Sequence, residues 1–494
     1  MDAASKFKSL QANARIIKHY RSKLTKNITG SIKESFDSAY RLDENDPSAF
    51  IEHLNEWMYK DLIRIEEDVV PCFPSNWEIH SLYIREYHKN LDQTLKKLIS
   101  TKPPATVLLA LHAWLKEHKK NMQELGIPPE WLERPLLDGK EENLIEDYVQ
   151  AIIDKLDEWA DNLMTSEKKL FVTRSDPPEL DADSLYGMQG AVILFQMINQ
   201  QVDLAMESGQ GGILSRVVSE SNRVMRNTQD QWAKVVDQEL KKYVEKPEEV
   251  AVGLSDYCIA LANDQIKCAD YAEALSARLE PLVSEKYKTA ISERLNDAVD
   301  GYLDVATKKC TLTLVEIIFH DVKPATKQLF QGTWYDGMMG QIVETMRDYM
   351  SDCQQYLNSS ILDVFVEDLL DAFLVAYLTA LANATKLKMP AAANRIREDI
   401  SLVFEFFSTL KSPKELEAYF EVIELVLALL EASKSLAFLS FWEFAKVHGP
   451  NVAFVECLMK ARDDLDRTAV NEVMESIKRK VKDEGLTDRK LQNI

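Results

Sequence analysis

Residues that make tight turns are scarce in this chain: 15 glycines and 16 prolines among 494 residues, against usual shares of about 7% and about 5%. A sheet protein of this length needs many turns, so the scarcity excludes a mostly-β fold and points to long helices with few connections. Six cysteines (Cys72, Cys258, Cys268, Cys310, Cys353, Cys457) are too few for a disulfide framework. No two of them sit at zinc-ligand spacing, so reduced and mostly buried thiols are expected, in a cytoplasmic protein. Basic charge is also short. Lys and Arg number 59 against 80 Asp and Glu, a formal net charge of −21, which is the wrong sign for neutralising a phosphate backbone. No nucleic-acid partner is expected.

Long apolar runs are missing too. Leu369 to Ala384 is interrupted by Asp371 and falls short of the ~20 residues a bilayer requires. Val422 to Trp442 contains Glu424, Glu431 and Lys434, and each such charge costs about 3 kcal/mol at a bilayer centre. Both read as core helices. No charged-then-apolar leader opens the sequence, so no secretory signal is expected.

Catalytic constellations are equally thin. None of the eight histidines belongs to an H-E-x-x-H or Glu-x-x-His pattern. His80 and His88 are spaced about two turns apart on one helix face and read as solvent-facing or partly buried. The cluster Gly209-Gln210-Gly211-Gly212 lacks the Lys and Ser/Thr of a phosphate loop and reads as a turn between helices. Glu367, Asp368 and Asp371 place three carboxylates within one helical turn, as all-α magnesium-dependent diphosphate enzymes do. Such enzymes need a second metal-binding helix further along. The nearest candidate (Asn296, Asp297, Asp300, Asp304) lies upstream and has Asp where a hydroxyl ligand should stand. Solvated helix acids are the plainer reading. The expectation is therefore no enzyme activity, no metal and no cofactor.

What the chain does have is apolar residues, 46% of the total, at helical spacing. Asp46 and Pro47 form an N-cap and first-turn pair before a helix with Phe50, Leu54, Trp57, Met58, Ile65 and Val69 on one face. Pro71 to Pro74 end that helix. Ser75 with Glu78 predicts a capping box for the next one, which carries Leu82, Tyr87, Leu91, Leu95 and Leu98. Pro103 and Pro104 break the chain again, and Gly126 is the expected C-cap of the helix that follows. Loops are predicted at 126–139, 173–183 and 209–212, around Pro247 and around Pro390. The fold class is all-α, and the domain cuts fall at 1–125, 126–246, 247–389 and 390–494. No fixed repeat period shows itself.

The first 26 residues hold Lys6, Lys8, Arg15, Lys18, Arg21, Lys23 and Lys26 against a single acid, Asp2. Phe7, Leu10, Ala14, Ile17, Leu24 and Ile28 follow a 3,4 spacing broken by Arg21, and Ile32, Phe36 and Tyr40 continue it. A long basic opening helix is expected, with a solvated or coiled-coil face as its plain reading. A second basic segment near the C-terminus carries Lys478, Arg479, Lys480 and Lys482.

Two stretches carry a family likeness. Gly332 to Asp352 reads GTWYDGMMGQIVETMRDYMSD: a glycine-flanked aromatic pair, then a helix with Ile342, Met346 and Tyr349 on one stripe, followed by Ile361 to Ala384. Asp61 to Leu91 reads DLIRIEEDVVPCFPSNWEIHSLYIREYHKNL, with a proline-flanked cysteine and Trp77. In this order they resemble the C-terminal rod of the exocyst component three (yeast Sec-six) family. The resemblance implies an elongated rod of consecutive antiparallel helical bundles and a non-enzymatic subunit that tethers secretory vesicles. It implies fellow exocyst subunits and a plasma-membrane t-SNARE as partners, membrane association only through those partners, and recruitment to plasma-membrane sites of exocytosis. A homodimer of the isolated rod is a further expectation. The scaffold of another helical-rod tethering complex is the alternative. The family has a long N-terminal coiled-coil region before its rod, so this chain resembles the rod without it. Trp334, Tyr335, Thr345, Asp348 and Tyr349 carry the family look and are the candidate partner-binding residues. Their plainer role is an aromatic plug at a bundle junction. The basic surfaces around Lys18, Arg21 and Lys23 and around Lys478 to Lys482 are the expected docking sites for an acidic partner.

Overall fold

The structure, a computed structural model, describes residues 19–132 and 134–485. Helices dominate them. In chain order these are α1 (Tyr20–Leu42), α2 (Pro47–Arg64), α3 (Ile79–Ser100), α4 (Ala105–Glu124) and α5 (Glu141–Thr173). A two-residue hairpin, β1 (Glu179–Leu180) with β2 (Tyr186–Gly187), precedes α6 (Gly190–Glu207), α7 (Gly211–Glu245), α8 (Leu254–Leu279) and α9 (Glu285–Val305). Then come α10 (Leu312–Thr326), α11 (Met338–Tyr356), α12 (Ser359–Ala382), α13 (Ala391–Ser408) and α14 (Pro413–Glu431). The last three are α15 (Ala437–His448), α16 (Val452–Ala461) and α17 (Arg467–Asp483). The fold is all-α.

Most boundaries follow local chemistry. Asp46 caps α2 by accepting the Ala49 N–H at 3.1 Å, with Pro47 in the first turn. Gly126, at φ +68°, lies just beyond α4. One expectation fails. The predicted capping box does not form: residues 75–77 make a 3-10 turn, and Glu78 is itself the N-cap of α3, in the left-handed region at φ 51° with no side-chain cap bond. A carboxylate at position 78 can serve a Ser75 cap only if the helix begins after Ser75, and the tight turn delays that start. Most of the expected basic opening helix falls on residues 1–18, including Lys18, which lie outside those described; α1 is described from Tyr20, with His19 at φ 44° before it. The stretch expected to be a loop at 173–183 contains the first strand of the hairpin, and the second lies just beyond it. Two π-helical turns, 65–69 and 306–311, extend α2 and α9 without any proline or glycine to announce them.

The chain forms two compact units. The first comprises the described residues up to Trp159 with Met197–Ser221 and Val283–Ile291; the second comprises Ala160–Gln196, Asn222–Leu282 and the residues from Ser292 onward. In the first, Phe36 of α1 packs edge-on against Trp57 of α2 at 5.0 Å and Tyr87 of α3 at 5.6 Å between ring centroids. Trp114 of α4 donates to Asn55 of α2 at 2.6 Å. His118 lies 2.7 Å from the Tyr59 hydroxyl, and burial pushes its pKa down to about 4, so the ring is neutral.

In the second unit, α8 is buried at every position from Tyr257 to Ile266. Asn263 there is fully used: its amide donates to the carbonyls of Tyr186 and Tyr356, each at 2.7 Å, and its oxygen accepts the Asn358 N–H at 2.8 Å. The hairpin is thereby tied to the α11–α12 corner, and Tyr186 stacks on Tyr356 at 4.0 Å. Beside α8, Arg174 at the end of α5 is buried. It donates to Glu239 at 2.8 Å, to the Phe171 carbonyl and to the Ala251 carbonyl at 3.1 Å. Removing one partner of such a pair strands the other charge in the core. Arg174→Met is expected to destabilise the protein by about 3–5 kcal/mol, and Arg174→Met with Glu239→Gln to recover much of that. Urea unfolding of the two variants measures it; a single variant indistinguishable from wild type would refute the assignment.

Candidate functional site

The candidate residues fall on two places in the second unit. Trp334 and Tyr335 lie in the 3-10 turn 332–336 that leads into α11, with Gly337 at φ +94° as the N-cap. The consecutive side chains diverge. Trp334 is 1% exposed and Tyr335 is 40% exposed. The Trp334 indole packs on Phe330 at 4.5 Å, and its N–H donates to Asp399 of α13 at 2.7 Å. Tyr377 of α12 donates to the same Asp399 oxygen at 3.2 Å. Arg395 Nε lies 3.2 Å from the other oxygen, an ion pair without hydrogen-bond alignment. Burial pushes the Asp399 carboxyl up, while Trp334, Arg395 and Tyr377 pull it back by favouring the ionised form. Trp334 is therefore a bolt holding the 332–336 turn to α12 and α13.

Along α11, Ile342 and Met346 are buried, and Tyr349 is half-buried on the stripe expected for it. Its hydroxyl donates to Asp321 of α10 at 2.7 Å, and Tyr243 of α7 donates to the other oxygen at 2.8 Å. Burial raises both phenols, Tyr243 to about 12. Thr345 bonds back to the Gln341 carbonyl at 3.0 Å, and Asp348 is exposed. Of the five residues, Tyr335, Thr345 and Asp348 are open to a partner to some degree, and Trp334 and Tyr349 are committed inward.

The basic C-terminal segment is α17, and pairing divides it. Lys478 meets Glu456 of α16 at 2.7 Å, and Lys460 holds the same carboxylate; together, Lys460 first, they press the Glu456 pKa down to about 2. Lys480 bonds Glu484 and lies 5.6 Å from the Trp442 ring of α15. Arg479 and Lys482 are exposed, and no acid among the described residues pairs with them. Two of the four expected docking cations are thus already engaged within the chain.

The carboxylates weighed as a magnesium site are accounted for locally. Glu367 pairs with Lys411 at 2.7 Å, Asp368 accepts from Thr311 at 3.2 Å, and burial with neighbouring acids raises Asp371 to about 6. Asp297 accepts from Asn222, and Asp304 pairs with Lys308. Among the described residues no group of three or more His, Cys, Asp or Glu side chains could hold a metal ion, and no helix is long and apolar enough to cross a membrane.

The sequence reading missed Asp399, Tyr377 and Arg395. A signal existed: Asp399 takes the place of an apolar residue on the α13 stripe of Ala392, Ile396 and Val403. An acid in such a position implies buried donors.

A family model for exocyst complex component Sec6 matches residues 2–467. The chain belongs to that family. The family is that of a non-enzymatic component of the exocyst, a tethering complex. Among relatives, exocyst complex component sec6 of Schizosaccharomyces pombe is 30% identical over 483 residues, covering 96% of this chain and 63% of that protein. SEC6 of Saccharomyces cerevisiae is 29% identical over 406 residues, covering 78% of this chain and 50% of that protein. The chain thus spans between half and two thirds of the length of these relatives. The crystal structure of the C-terminal domain of the exocyst subunit Sec6p superposes with a TM-score of 0.64 at 27% identity, covering 72% of this chain and 95% of that one.

Trp334→Ala is expected to cost about 3–5 kcal/mol through the cavity left and the lost Asp399 bond. Tyr335→Ala should stay within about 0.5 kcal/mol of wild type. Thermal unfolding of both variants checks this, and an unchanged midpoint for Trp334→Ala would show that the indole does not bolt the turn.

Proposed function

We propose that this chain is a non-enzymatic subunit of the exocyst that docks secretory vesicles at the plasma membrane through protein-binding surfaces. The observation that carries the reading is the family match running from residue 2 to residue 467. The partners are other exocyst subunits and a plasma-membrane t-SNARE, and the protein works from the cytoplasm, reaching membrane sites of exocytosis through those partners. No cofactor takes part. Affinity purification of the full-length protein with identification of what is retained tests the proposal: other exocyst subunits are expected, and their absence under conditions that preserve the complex would overturn it.

Charge supports where an acidic partner helix would land. The chain carries −21, so such a partner is repelled except where cations stand free of internal acids. Arg479 and Lys482 on α17 meet that condition, with Lys478 and Lys480 in support, while Tyr335, Thr345 and Asp348 offer a second accessible patch. Lys478 and Lys480 serve α17 itself, so reversing them would confound docking with stability. Arg479→Glu with Lys482→Glu is the cleaner change. It should slow association with the t-SNARE and flatten the salt dependence of the rate, while thermal unfolding stays unchanged. Unaltered t-SNARE binding at low salt would refute electrostatic docking on α17.

A further inference from the structure

Two acids are buried side by side in the second unit, and nothing in the family's role uses them. Glu167 of α5 is 7% exposed and Asp264 of α8 is 2% exposed. Both close on the first residue of α6. A Cβ at Gly190 would lie 3.0 Å from Asp264 Oδ2 and 3.5 Å from Glu167 Oε2, so glycine leaves the space in which the carboxylates stand. Asp264 Oδ1 accepts the Ala191 N–H at 2.9 Å. Glu167 Oε2, buried and without a hydrogen-bond partner, faces the same cavity as Asp264. So do Gln265, whose Oε1 is also unpartnered, and Tyr302, whose hydroxyl is directed at Thr228 and Cys268. That cavity is about 10 Å³, room for a single water molecule.

Two ionised carboxylates in this position would place two negative charges in a site with little to answer them. The facing groups are few. From α8 come Lys267, which is held 2.5 Å from Asp181 of the hairpin turn, and the neutral Cys268 and Tyr257. From α9 comes Tyr302, neutral because burial raises its phenol. The α7 residues on the cavity, Thr228 and Trp232, carry no charge, and Ala191 at the start of α6 contributes one backbone donor. One cation shared with Asp181 and one N–H do not balance two buried charges.

We propose that Glu167 and Asp264 form a buried proton site: one proton is held between the two carboxylates against Gly190, and its loss loosens the junction of α5, α6 and α8. The proton turns Glu167 Oε2 from an unpaired acceptor into a donor and halves the buried charge. Burial, with the Asp264 charge second, pushes the Glu167 pKa up to about 7. Burial raises Asp264 to about 6 against the pull of Ala191 and Lys267. Both folded values exceed the unfolded ones, so the folded state binds protons more tightly. The stabilisation is complete below the unfolded carboxyl range and is lost as pH rises through about 7.

The test compares the 494-residue chain with its Glu167→Gln variant in urea from about pH 5 to about pH 8. Relative to the variant, the wild-type folding equilibrium constant should fall by roughly one to two orders of magnitude across that range. Parallel curves overturn the proposal. Infrared spectroscopy of the wild type supplies a reading independent of the variant's folding. The carbonyl band of a protonated carboxylic acid should persist near neutral pH and vanish under alkaline conditions. Its absence near neutrality overturns the proposal equally. Added sodium, calcium or magnesium chloride should not protect the wild type selectively. If one of them does so at alkaline pH and fails on Glu167→Gln, the site holds a metal ion and not a proton.

Discussion

A helix covered on all sides has no solvent face on which to place its polar side chains, and that constraint governs the second unit. Asn263 and Asp264 sit where α8 is buried at every position, so each of the two has to be answered from a neighbouring element. Asn263 is answered by the hairpin and by the α11–α12 corner. Asp264 is answered by the start of α6. The hairpin is only two residues wide, far too small to be stable alone, and its attachment to Asn263 explains how it persists in a helical protein. The same rule recurs at Asp399, where donors from two other elements converge, and at Glu239 with Arg174. Such buried polar contacts are costly when incomplete, which makes them specific about which helices meet.

How far the sequence reveals this depends on the range of the interaction. Helical periodicity and proline or glycine punctuation act over one or two turns, so the Asp46–Pro47 start, the break at Pro103 and the end at Gly126 are legible from neighbouring residues alone. The stripe of Ile342, Met346 and Tyr349 is legible for the same reason. The failures are cases where a local rule competes with another local rule or with tertiary contact. Ser75 and Glu78 have the right spacing for a capping box, but the turn at 75–77 places Glu78 at the cap. His19 reads as one more helical residue and instead adopts a left-handed conformation. The hairpin has no strand-like alternation, because a buried asparagine far along the chain selects it. The acceptor for Trp334 is 65 residues away in α13 and could be inferred only as a type, a buried acceptor.

The candidate surface shows a similar division between composition and arrangement. Four cations in α17 read from sequence as one basic patch. In the structure, acids from α16 and from just beyond α17 claim two of them, and the exposed remainder is the pair Arg479 and Lys482. A large excess of acids therefore does more than set the net charge. It also supplies intramolecular partners for some of the bases, as for Lys478 and Lys480, so a basic run in the sequence overstates the cations that a partner can reach. Trp334 and Tyr335 separate comparably: adjacent in sequence, one serves the core and the other faces water.

The way the two units share the chain bears on how the protein is made. The first unit is assembled from three separate segments, the last of them Val283–Ile291, and α5, α6, α7 and α9 each contribute residues to both units. Domains encoded as single segments can fold one after another as they leave the ribosome. Here the first unit stays incomplete until residue 291 has emerged, when much of the α5–α8 portion of the second is already present. Nascent chains stalled between α7 and α9 therefore hold the first unit without its last segment, and they would be the species most in need of a chaperone.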